Sequence, residues 1–140
     1  MTRSVTITAP VAAPVLFDYL TDPRRRPQWQ ASLLAVDHLS GDGSPGTRWT
    51  DVTAVGARPH LWVSASEPPQ SWTEQGRWRG LRAVLRLDFV AASQSSSVLV
   101  ATFALTGRGP WRPLAAALEL LAPAAIAADL RRGVRLAATG

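Results

Sequence analysis

Residues 112–138 (RPLAAALELLAPAAIAADLRRGVRLAA) read as one long helix, and nearly everything from residue 31 up to it reads as short strands. The helix is mostly Ala and Leu, with a single Pro123 inside. Leu114, Leu118, Leu121, Ala125, Leu130 and Val134 recur near helical spacing, so one flank is expected to be apolar. A long helix with an apolar flank, appended to a strand-rich chain, needs a sheet to lie against. Where such a sheet curves, a cavity can stay open between the two, and a cavity of that kind is a binding site by construction. Nothing in the residues names its ligand.

The chain has 140 residues, which predicts a single domain over 1–140 that is large enough to bury a core. Hydrophobic residues make up 46%, which excludes disorder as the resting state. There is no cysteine, so neither a disulfide framework nor a thiolate metal site is expected. The opening MTRSVTITAP lacks the apolar core of a signal peptide, and a cytoplasmic location is expected. The C-terminal helix is interrupted by Asp129, Arg131, Arg132 and Arg135, so stable membrane insertion is not expected. All 15 basic residues are arginine and the net charge is +5, a bias that fits a high-GC bacterial genome. The arginines are scattered, which argues against a nucleic-acid partner. Arg24-Arg25-Arg26, between Pro23 and Pro27, reads as a solvated turn.

Along the chain, residues 3–8 alternate as a strand and Ala9-Pro10 ends it. Pro14 fits the first turn of a helix running to about Thr21, and Asp22-Pro23 stops it. Residues 24–30 form a second short turn or helix anchored by Trp29. Strands are then predicted at 32–39, 47–55, 60–66, 71–79, 82–91 and 97–106, with a dense turn signal, GDGSPG, at 41–46. The links are mostly short, so consecutive antiparallel pairing is the economical topology.

This order carries a resemblance. Val5-Thr6-Ile7-Thr8-Ala9-Pro10 leads into Val15-Leu16-Phe17-Asp18-Tyr19-Leu20; Asp22-Pro23 precedes Pro27-Gln28-Trp29; Gly46-Thr47-Arg48-Trp49 follows the turn; an Ala-rich helix with Asp129-Leu130 closes the chain. In these elements and their spacing the sequence resembles the SRPBCC superfamily (START-like, helix-grip), and within it the small bacterial polyketide cyclase/dehydrase-like proteins. The resemblance implies an α+β helix-grip fold: a seven-stranded curved antiparallel sheet wrapped around a long C-terminal helix, with two short helices after the first strand. The superfamily is functionally mixed, so fold does not by itself give function.

Chemistry-bearing constellations are sparse. His38 and His60 lie on separate predicted strands, and no metal site or cofactor is expected. Neither a phosphate-binding glycine loop nor a nucleophile elbow is present. Most acids fall at positions where solvation is expected; Asp51 and Asp129 are the exceptions. Asp51 is in phase with Trp49, so both side chains point to one face of their strand. Facing water is the commoner state of a carboxylate, but on a concave face Asp51 would have a raised pKa and could move protons. The catalytic candidates are Tyr19, Asp51 and His60, with Arg48 to steady an enolate oxygen.

Six tryptophans are present, and large flat side chains either fill a core or wall a pocket for aromatic ligands. The predicted ligand wall is Trp49, Trp62 or else Leu61, Trp78, Leu85, Leu87 and Phe103 from the sheet, with Leu118, Ala122, Ile126 and Leu130 from the helix. Pro123 is expected to bend the helix over the sheet. Three functions compete: a protein that binds a small hydrophobic or aromatic, lipid- or polyketide-like molecule; a polyketide cyclase/dehydratase-type enzyme; and a regulatory or toxin–antitoxin interaction module. A homodimer is left open.

Overall fold

The structure, a computed structural model, describes residues 2–140. The chain runs β1 (Thr2–Ala9), α1 (Ala13–Leu20), a 3-10 turn (Pro23–Arg25), α2 (Arg26–Trp29), β2 (Leu33–Ser40), β3 (Arg48–Thr53), β4 (His60–Glu67), β5 (Ser71–Trp78), β6 (Leu81–Ala91), β7 (Ser97–Gly107), a second 3-10 turn (Gly109–Trp111) and α3 (Arg112–Thr139). The seven strands form one antiparallel sheet in the order β1-β7-β6-β5-β4-β3-β2.

β1 and β2 therefore lie at opposite edges, and the segment between them must cross the width of the sheet. That crossing carries α1 and α2. Pro14 sits in the first turn of α1, where its missing N–H costs no helix bond. The Asp22 carboxylate accepts the Arg24 backbone N–H at 3.1 Å and so starts the 3-10 turn.

Alternation along the paired strands settles which side chains face inward. Trp72 pairs with Leu87, Glu74 with Leu85 and Gly76 with Ala83; Leu87 pairs with Ala101 and Leu85 with Phe103. The inner face of β7 therefore holds Leu99, Ala101 and Phe103, all buried. Here α3 lies against β7 and β1, and its C-terminal half also packs on α1 and α2. Gly133 makes that approach possible: a Cβ there would stand 2.6 Å from Leu20 Cδ2.

The buried stripe of α3 is Ala115, Glu119, Ala127, Leu130, Gly133, Val134 and Ala137. Of the flank expected from sequence, Leu130 and Val134 are buried, but Leu114, Leu118 and Leu121 are exposed. The packed stripe uses alanine where the helix lies on β7 and β1, and glycine where Leu20 and Trp29 press against it. The leucines are displaced onto the neighbouring faces. By length and composition Gly109–Thr139 could cross a membrane, yet its C-terminal half is built into the core.

Candidate functional site

Three charged side chains lie inside the grip. Arg26, from the first turn of α2, is 3% exposed; Glu74 on β5 is 3% exposed and Asp51 on β3 is 4% exposed. Arg26 Nη2 donates to Glu74 Oε2. The indole Nε1–H of Trp72 donates to the same oxygen at 3.0 Å, and that of Trp49 donates to Asp51 Oδ1 at 2.9 Å. The same device thus appears twice: on an inward strand face a tryptophan satisfies the carboxylate two residues on. The Arg26 guanidinium also lies over the rings of Trp29 and Trp49, at 5.5 and 5.4 Å from their centroids.

One cation and two carboxylates are unbalanced if all are ionised. Burial pushes the Asp51 carboxyl above its ordinary value; Arg26 opposes that rise, the Glu74 charge adds to it, and the Trp49 N–H opposes it. Burial therefore disposes Asp51 toward its protonated form.

Beside this cluster, one side of α3 outside the packed stripe is turned toward the inner sheet. Leu118, Asp129 and Arg132 fall on one side of α3, since eleven and fourteen residues are about three and four turns. Asp129 accepts the Ala31 N–H at 3.2 Å, and Arg132 Nη1 donates to the Trp29 carbonyl at 2.8 Å. That side of the helix therefore looks toward α2 and across the inner sheet, and Leu118 looks the same way three to four turns earlier. Ala122 and Ile126, between it and the packed stripe, are half-buried, as are Ala83, Leu85 and Leu105 on the inner sheet face and Trp78 at its end. Just before α3, the Trp111 ring stands edge-on to Trp78 at 6.0 Å.

The predicted residues are dispersed. Trp49, Leu87, Phe103 and Leu130 lie inward and are buried, while Trp78, Leu85, Ala122 and Ile126 are half-buried and Leu118 is exposed. Trp62 faces the outer side of the sheet, because the inward residues of β4 are Leu61 and Val63, paired with Gly76 and Glu74. Arg48 and His60 share that outer face and are exposed; His60 Nδ1 lies 3.1 Å from Thr50 Oγ1. The Tyr19 hydroxyl donates to Gln28 at 2.6 Å; burial raises its pKa, against the pull of Arg25. Of the four catalytic candidates, only Asp51 lies on the inner sheet face.

Three charged residues were not anticipated inside. Arg26 belongs to the arginine run expected in solvent, but only Arg24 and Arg25 are exposed; they share Asp22 at 3.1 and 3.6 Å. The usable signal was its i, i+3 spacing to Trp29, which puts both on one side of a helical turn. Glu74 was legible as an acid in phase with Trp72 and Trp78. Glu119 carries no such signal: it is buried beneath α3, accepts the Leu105 N–H at 3.2 Å and pairs with Arg3 at 3.7 Å. Among the described residues no group of His, Asp and Glu is arranged to hold a metal ion.

A second concavity of about 860 Å³ opens at the far end of the sheet, floored by Phe17, Leu39 and Trp72. Its rim carries Asp18, Asp22, Arg24, Arg25 and Asp42, so its charges are mixed and largely paired with each other.

The architecture has close counterparts among solved structures. Zhui aromatase/cyclase from Streptomyces sp. R1128 superposes with a TM-score of 0.78 at 14% identity, covering 98% of this chain and 93% of that one. A START superfamily protein from Mycobacterium smegmatis gives 0.74 at 15% identity, with 96% and 97% covered. The chain has the helix-grip fold. Norcoclaurine synthase from Thalictrum flavum shares the helix-grip architecture as well, at a TM-score of 0.73 and 12% identity, with 97% and 85% covered. No family model matches the sequence, and no curated protein does either. At these identities the likeness is one of fold: a helix-grip scaffold is shared by proteins whose names imply different activities.

Proposed function

We propose that the protein binds a small hydrophobic or aromatic, lipid- or polyketide-like molecule in the groove between the inner sheet face and α3. The observation that carries this reading is the half-buried apolar row Ala83, Leu85 and Leu105 on the inner sheet face, with half-buried Ala122 and Ile126 and exposed Leu118 on the side of α3 turned toward it. Apolar walls with few convergent polar groups are what an apolar ligand requires. Trp78 and Trp111 supply flat surface, and Asp51 adds a polar group from the buried cluster. Native mass spectrometry of freshly purified protein tests it, followed by tryptophan fluorescence titration with a polycyclic aromatic panel. Saturable quenching that is lost in Ala122→Trp supports the reading; no response from any member, or an unchanged response in Ala122→Trp, rejects it.

Asp51 favours a second reading, a cyclase- or dehydratase-type enzyme. A carboxyl with a raised pKa beside an apolar groove can protonate or deprotonate an oxygen held there. In that case Asp51→Asn abolishes turnover of a polyketide-type substrate while leaving its binding intact. Full turnover in the variant removes Asp51 from catalysis.

A further inference from the structure

The outward face of α3 is apolar where the surface of a helix is normally charged. Leu120 and Leu121 are 69% and 70% exposed, and Leu114, Ala117, Ala124 and Ala128 are exposed around them. Residues 113–128 span about 24 Å of helix at about 1.5 Å per residue. The two acids of the helix are turned away from this face: Glu119 is buried against the sheet, and Asp129 is paired with Arg132 at 3.4 Å.

The same face changes character beyond Ala128. Arg131 and Arg135 lie about three and four turns beyond Leu120 and Leu121, on the same side, and both are exposed. Arg108 and Arg112, also exposed, stand at the other end of the patch, with Trp111 between them. The arrangement is an apolar strip bracketed by arginines, with the protein as a whole at +5.

Charge decides between occupants. A second copy would bring the same strip, and its arginines would meet arginines whether the helices ran parallel or antiparallel, with no exposed acid on α3 to answer them. An anionic lipid surface matches both parts: apolar side chains enter the headgroup boundary while arginines meet the headgroups. We infer that the outward face of α3 docks the protein peripherally on anionic membranes, its axis in the plane of the interface. The buried C-terminal half of α3 keeps the helix on the protein, so docking does not require it to leave the core.

The test is flotation of the full chain with vesicles of phosphatidylcholine alone and with phosphatidylglycerol added, over a salt series. Binding is expected to the anionic vesicles only, weakening as salt rises. Leu120→Glu with Leu121→Glu should abolish it, and Arg131→Gln with Arg135→Gln should weaken it about thirtyfold, the loss expected for two basic contacts. All these positions are exposed, so unchanged melting temperatures confirm that the variants are folded. Absence of flotation, or flotation indifferent to both double variants, overturns the inference. So does a dimer in light scattering that dissociates in the Leu120→Glu, Leu121→Glu variant, because the strip is then covered by a second copy.

Discussion

Arg26 and Glu74 lie 48 residues apart in the chain and form an ion pair inside the grip, each almost wholly removed from solvent. The pair joins the crossing segment to β5, so it ties the two short helices to the middle of the sheet. Such a pair is costly to half-remove, because the remaining charge is left buried and uncompensated. Glu74→Ala is expected to destabilise the fold by about 3–5 kcal/mol, whereas replacing both partners together with Arg26→Met and Glu74→Leu should cost far less. Urea denaturation of the three proteins measures this. Equal losses in the single and double variants would show that the pair acts through packing alone.

Asp51 gives a signed pH dependence. Its folded pKa is raised by burial, so above the ordinary Asp value of about 3.9 the folded state holds a proton that the unfolded state has released. Its contribution to stability is fully present below that value and is lost as pH rises through the raised folded pKa. Asp51→Asn should therefore flatten the stability profile across this window and match or exceed the parent near neutrality. Melting temperature against pH for both proteins decides it; parallel profiles would assign the dependence to another group.

Gly80 lies under Trp111, where a Cβ would come 2.0 Å from the indole Cδ1. Gly80→Ala should expel Trp111 from its edge-on contact with Trp78. A cost of about 1–3 kcal/mol is expected, as for other overpacked sites. A red shift in tryptophan emission should accompany it; an unshifted spectrum would mean that the indole stays in place and the strand yields instead.

His60 and Arg48 stand on the outer face of the sheet, so His60→Ala and Arg48→Ala should leave ligand affinity and any turnover within about twofold of the parent. The expected stability change is within about 0.5 kcal/mol, as at other solvent-facing positions. A large loss of binding in either variant would move the site to the outer face. This contrast with Asp51→Asn separates inner from outer chemistry with three point variants.

Local pattern carried most of the fold. The seven strands, the two short helices and the long C-terminal helix were legible because alternation, the proline stops and the GDGSPG turn are local signals, and the observed bounds differ by one or two residues at most ends. That Trp49 and Asp51 share one face of their strand, and Trp72, Glu74 and Trp78 one face of theirs, was also legible, since a strand with period two leaves only two choices of face. Trp62 shows the limit of that argument: period two relates Leu61 to Val63, but only the register with Glu74 and Gly76 says that this set faces inward.

The sequence by itself determined the elements, their order and the two possible faces of each strand, because those follow from interactions a few residues long. Tertiary structure alone decided that Arg26 is buried while Arg24 and Arg25 are not, since its partner arrives from 48 residues away. It also decided which stripe of α3 is packed. A helix that is apolar nearly all round carries no unique inward face in its sequence, and the close approach of β7 and β1, with α1 and α2 against Gly133, selected the alanine and glycine stripe and left Leu114, Leu118, Leu120 and Leu121 exposed.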